Sequence, residues 1–225
     1  MTNRRTFLFS TAGAFAAGIL PSTAPAANEK ASMHPSAALK NLMDGNARFA
    51  EGKPRPSAPI ARVRELASGQ TPFATVLACS DSRVPVEILF DHDPGDIFTV
   101  RVAGNFVTDA GLGSIEYATA VLKSPLVMVL GHTACGAVKA AVEYVEDGKK
   151  FPGQVQTLAE AIAPAARDSA HEHGDRVYNA VVANVRLAVQ RLKTADPIMV
   201  AAVQSREIEV VGGVYDLATG RVSLI

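Results

Sequence analysis

The stretch PLVMVLGHTACGAVKAAVEYVEDG (residues 125–148) changes character half-way along. Its first part is an uncharged apolar run of strand length, the pattern of a strand buried on both faces. From Thr133 onward the spacing becomes helical and runs to Gly148. His132 and Cys135 lie where one pattern gives way to the other.

Outward from that junction the same alternation repeats. FATVLAC (residues 73–79) and DIFTVRV (residues 96–102) are short, β-branched runs and read as strands. GLGSIEYATAVLK (residues 111–123) presents Ile115, Tyr117, Ala118 and Leu122 as the apolar positions of a helix. SAALKNLMDGNARFAEG (residues 36–52) reads as an opening helix, with Ser36 as its cap and Leu39, Leu42, Met43 and Phe49 near helical spacing. DRVYNAVVANVRLAVQRLK (residues 175–193) reads as another helix. PIMVAAVQS (residues 197–205) reads as a fourth strand, and IEVVGGVYDLATGRVSLI (residues 208–225) as two strands joined by a turn at residues 218–220. Strands alternating with helices predict an α/β fold: a mainly parallel β-sheet core flanked by α-helices, with a C-terminal strand hairpin.

Hydrophobic residues make up 48% of the 225, enough for a sizeable core. The formal net charge is zero and the basic residues are scattered, which argues against a nucleic-acid partner. The absence of Trp and an aromatic content of 6% argue against a base-stacking platform.

The first residues carry a targeting pattern. Arg4 and Arg5 precede an uncharged run over residues 7–20, followed by small residues at Ala24 and Ala26. The run is short for a bilayer span. The paired arginines followed by Thr-Phe-Leu resemble a twin-arginine export signal, with an ordinary secretory signal or an uncleaved anchor as alternatives. The expected organisation is an export signal over residues 1–27 and one catalytic domain over residues 28–225. The expected location is outside the cytoplasm, in the periplasm, with membrane contact only through an uncleaved leader.

Three soft donors stand where strands end: Cys79, His132 and Cys135. In open parallel sheets, sites form beyond the carboxyl ends of the strands. Two thiolates and an imidazole suit tetrahedral zinc, and three protein ligands leave a position for water. Asp81 follows two residues after Cys79, as a fourth ligand or as a hydrogen-bond acceptor beside the metal. Arg83 is spaced to hold that carboxylate by a bidentate pair. The competing reading of two cysteines in an exported chain is a disulfide. Neither the histidine before Cys135 nor the Asp81/Arg83 pair is needed for one.

The blocks CSDSRVP, GDIFTVRVAGN, SIEYA and GHTACGA, in this order and spacing, resemble the β-class carbonic anhydrases. The resemblance implies one Zn²⁺ per chain held by Cys79, His132 and Cys135, with Asp81 and Arg83 as a catalytic dyad. It implies reversible hydration of CO₂ to bicarbonate and a proton, by hydroxide on the zinc oriented through that dyad. The backbone N–H of Gly136 matches the position that contacts bound anion in the family. It further implies self-association as a dimer or tetramer.

Other readings use the same residues. The zinc centre could hydrolyse COS or CS₂, or the chain could bind zinc without catalysis. A redox pair is disfavoured by the wide separation of the cysteines. His92 reads as a solvated loop residue or a proton shuttle. The run His171-Glu172-His173 reads as a polar helix end or a surface metal site. Gly104 and Asn105 are expected to shape a turn beside the site.

Overall fold

A computed structural model describes residues 33–225 of the chain. The proposed leader lies outside the described residues. Among the described residues, five strands form one sheet in the order β2-β1-β3-β4-β5. The strands are β1 (Ala74–Ala78), β2 (Ile97–Arg101), β3 (Leu126–His132), β4 (Glu209–Tyr215) and β5 (Val222–Leu224). The pairs β1–β2, β1–β3 and β3–β4 are parallel, and β4–β5 is antiparallel. This is the predicted α/β architecture, including the C-terminal hairpin.

Every residue of β1 and β3 is buried, which explains why both read as unbroken apolar runs. Side chains alternate across the sheet. Val76, Ala78, Met128 and Leu130 pack with Leu42 of α1 (Pro35–Ala50) and Leu89 of α3 (Val86–Leu89). Leu77, Val127 and Val129 face the other way, against Ile115, Val185, Leu192 and Met199. Those residues lie on α4 (Asp109–Ala120), α7 (Arg176–Lys193) and α8 (Ile198–Gln204). Full burial of one such Leu, Ile or Met contributes roughly 1.5–3 kcal/mol. The remaining helices are α2 (Pro59–Glu65), α5 (Gly136–Asp147) and α6 (Val155–Asp168).

Helix α7 lies close on the sheet because Gly131 of β3 has no side chain. A Cβ there would stand 2.7 Å from Val185 Cγ2 and 2.9 Å from Val181 Cγ1.

Two local expectations are corrected. PIMVAAVQS is not a strand but contains helix α8. Met199 and Ala202, three apart, are its buried residues, so the segment presents one face to the core rather than two. The fourth strand begins later, at Glu209. Ser36 is not the cap of α1: His34 is, its Nδ1 accepting from the Ser36 N–H at 3.3 Å. Pro35 at the first helical position leaves no N–H to cap, and it sets the start two residues earlier than a Ser36 cap would.

Candidate active site

The strand order creates the site. From β1 the chain moves to β2 on one side, then returns to β3 on the other. The carboxyl ends of β1 and β3 therefore flank a switch point, where a crevice opens in sheets of this kind. Cys79 is the residue after β1, and His132 is the last residue of β3. Register pairs Ala78 with Leu130, which puts the two donors at the same rim.

Cys135 reaches the rim through a tight loop. Thr133 anchors it, its N–H donating to Tyr215 O at 3.0 Å and its Oγ1 accepting from Leu217 N at 3.0 Å. Ala134 takes a φ of +55°, which turns the chain back toward Cys79. Cys135 then caps α5.

The donor atoms of Cys79, His132 and Cys135 all lie within 4.8 Å of one another. Among the described residues no other three His, Cys, Asp or Glu side chains form such a group. His171 and His173 therefore do not make a metal cluster of this kind. The two sulfurs are 4.0 Å apart and both cysteines are free. A disulfide needs about 2.05 Å between sulfurs, so these thiols are unjoined.

The chemistry of the donor set fits a metal ion. His132 Nδ1 bonds Thr133 O at 2.9 Å, which assigns the ring proton to that nitrogen. Its Nε2 is fully buried and has no hydrogen-bond partner among the described residues. A buried lone pair left unpaired is costly, unless a ligand takes it. Two sulfurs beside that lone pair match the borderline-soft preference of zinc.

The sulfurs are electrostatically unequal. The hydrogen bond shared with Cys135 pushes the Cys79 thiol down, against burial and with further help from the backbone N–H of Gly104. That N–H meets Cys79 Sγ at 3.2 Å. Sharing its proton with Cys79 pushes Cys135 up, although the N–H groups of Val138 and Ala137 at the start of α5 favour its ionised form.

Asp81 and Arg83 form the bidentate pair expected from their spacing. Arg83 Nε donates to Oδ1 at 2.9 Å and Nη2 to Oδ2 at 2.7 Å, while the Arg83 backbone N–H adds a bond to Oδ1 at 2.9 Å. The guanidinium holds the Asp81 carboxyl well below the usual carboxylate range. Oδ2 of Asp81 lies 4.0 Å from Nε2 of His132. Gly136 opens α5, and a Cβ there would meet nothing within 4 Å, so the space beside it is open.

A family model described as carbonic anhydrase matches residues 74–222. A carbonic anhydrase of Mycolicibacterium smegmatis is 42% identical over 192 residues, covering 85% of this chain and 93% of its own. Carbonic anhydrase 2 of Mycobacterium tuberculosis is 40% identical over the same length. Among solved structures, a β-carbonic anhydrase of the ascomycete Sordaria macrospora, one of two described as tetrameric, superposes with a TM-score of 0.67. It is 27% identical and covers 83% of this chain and 96% of its own.

The chain belongs to the β-class carbonic anhydrase family. It is accordingly an enzyme of carbonic anhydrase type.

Within that family site, sequence reasoning overlooked Arg101. It ends β2, and its guanidinium donates to Cys79 O at 3.0 Å and to Asp81 O at 2.7 Å. The loop bearing a metal-type donor and the acidic residue is thus tied to the neighbouring strand. The available signal was position: Arg101 ends a strand at the same rim, inside the block GDIFTVRVAGN. His92 is not a solvated loop residue. Its side chain is 2% exposed, with its ring 4.7 Å from that of Phe73 and Nδ1 3.2 Å from Arg55 Nη2. Gly104 does shape a turn, as expected, and it also donates to Cys79.

Proposed function

We propose that the protein catalyses the reversible hydration of CO₂ to bicarbonate and a proton, on one Zn²⁺ per chain held by Cys79, His132 and Cys135. The observation that carries this reading is the unpartnered, buried Nε2 of His132 facing two unjoined sulfurs. Zinc, when bound, supplies a Lewis acid that makes hydroxide available near neutral pH.

The remaining work belongs to the chain. Asp81 stays anionic beside Arg83 and is a pure acceptor, able to take a hydrogen bond from the reacting water and aim its lone pair. Arg83 grips both carboxylate oxygens, so Asp81 is held in one orientation. The Gly136 N–H, at the positive end of α5 with open space beside it, is suited to an oxygen of the bicarbonate product. Behind the sulfurs, Val138, Ile162 and Val181 form an apolar wall that keeps water from that side.

Stopped-flow CO₂ hydration with metal analysis on the zinc-loaded protein tests the reading. Fast turnover with one zinc per chain is expected. Turnover of COS or CS₂ without CO₂ hydration would redirect it, and zinc binding without any turnover would leave only a zinc-binding protein.

Two wider proposals accompany it. Self-association as a dimer or tetramer is supported by the tetrameric relatives from Sordaria macrospora and by β2, which ends the sheet with one neighbour only. Light scattering on the purified protein checks it. Export to the periplasm through residues 1–27 is supported by Arg4-Arg5 and the uncharged run that follows. Cell fractionation of the full chain, with and without the paired change of Arg4 and Arg5 to Lys, checks that.

A further inference from the structure

We infer that Asn184 is a positioning residue for the Cys79 sulfur, acting through Gly104. The inference rests on the zinc reading above, since it concerns how one donor is held.

Asn184 is 4% exposed and sits on the buried face of α7, among Ala180, Val181, Val185 and Ala188. A primary amide in such company is retained at a cost unless it bonds. Its Nδ2 donates to Gly104 O at 2.8 Å, across 80 positions of sequence. Gly104 in turn donates its N–H to Cys79 Sγ at 3.2 Å. One residue thus receives from the helix and gives to the sulfur.

The turn between them is conformationally special. It is closed by Asn105 N–H to Val102 O at 3.0 Å, and Gly104 has a φ of +83°. A Cβ on Gly104 would stand 2.4 Å from Ile162 Cδ1 and 3.2 Å from Ala137 Cβ. Only glycine fits, and glycine is also the residue least able to hold its own dihedral angles. An outside contact is therefore needed to fix its carbonyl, and Asn184 makes it. Freed from Asn184, the turn can rotate and take the N–H away from the sulfur.

An N–H bond to a thiolate offsets part of its charge and orients its lone pairs. Groups that orient metal ligands in this way typically change affinity about 10–100-fold when removed. Asn184 bonds to the Gly104 carbonyl and not to Asp81, so its effect falls on the sulfur rather than on the carboxylate.

The test uses the full chain loaded with cobalt or zinc. In Asn184→Leu, which keeps the bulk and removes the donor, the thiolate-to-cobalt charge-transfer band should shift. Zinc affinity measured against a competing chelator should fall about 10–100-fold. Val185→Ala, on the same helix, should lower the Tm yet leave band and affinity alone, which separates positioning from packing. An unchanged band and affinity in Asn184→Leu, with the parent band present, would overturn the role of Asn184 while sparing the zinc reading. A parent protein with no such band would overturn both. Should the leucine variant not fold, Asn184→Ala removes the donor without a branched replacement and is read by the same two measurements.

Discussion

The Oδ2 atom of Asp81 stands 4.0 Å from the Nε2 atom of His132, although 51 positions of sequence separate the residues. The carboxylate is close enough to act on what the imidazole holds, yet Arg83 grips it from the other side.

On the proposed mechanism, Asp81 is dispensable for metal and needed for turnover. Asp81→Ala is expected to lower kcat about 100-fold or more while zinc stays at one per chain. Arg83→Ala should act in the same direction, and the double variant should be little worse than Asp81→Ala, because the pair works as a unit. Turnover close to parent in Asp81→Ala, measured by stopped flow, would remove the dyad from the mechanism.

The sulfurs offer a second check. With 4.0 Å between them, protein stripped of metal and never reduced should titrate with both thiols free. Activity should disappear on stripping and return with zinc. Cys79→Ser and Cys135→Ser should each lose stoichiometric zinc. A thiol count of zero would show the pair joined and the ligand set wrong.

Asp91 is expected to contribute to acid stability. Burial works to raise its carboxyl, but bonds from Arg48 Nε and from the Arg55 N–H outweigh burial, and the group ends below its ordinary range. A carboxyl depressed in the folded state adds stability that is complete above the unfolded value. As pH falls through about 4 the unfolded chain takes the proton first, and the contribution is lost toward the lower folded value. The urea midpoint of the parent should therefore fall between about pH 5 and pH 3, and Asp91→Asn should flatten that fall. An equal slope in both proteins would assign the acid sensitivity elsewhere.

Asn46 holds together distant parts of the fold on the face opposite α7. Its Nδ2 donates to Leu89 O at 3.0 Å and to Gly220 O at 2.9 Å, and its Oδ1 accepts from Val222 N at 2.8 Å. Asn46→Ala leaves these buried groups unpaired and should cost about 3 kcal/mol in urea unfolding. Turnover per folded molecule should be unchanged. A loss of turnover greater than the loss of folded protein would mean that Asn46 also serves the site.

The parts of this protein that were legible in sequence are those whose pattern is local. β1 and β3 were readable because strands buried on both faces are continuous apolar runs. The Asp81–Arg83 clamp was readable because its partners are two residues apart. The segment at residues 197–205 misled because a short apolar run suits a strand and a half-buried helix equally, and only its packing through Met199 and Ala202 decides. Arg101 and Asn184 were not assigned because each acts on a main-chain oxygen, and main-chain partners leave no mark in the amino-acid string.

By itself the sequence determined the chemistry that is present: two thiols, an imidazole, a carboxylate and its guanidinium, each at the end of an apolar run or just beyond it. Tertiary structure decided that these groups meet. Placing β1 beside β3 rather than in chain order brings Cys79 and His132 to one rim, and the turn at Ala134 returns Cys135 to them. The physical reason is that donor identity is a property of single residues. Their convergence is a property of strand order and register, set by burying both faces of the sheet at once.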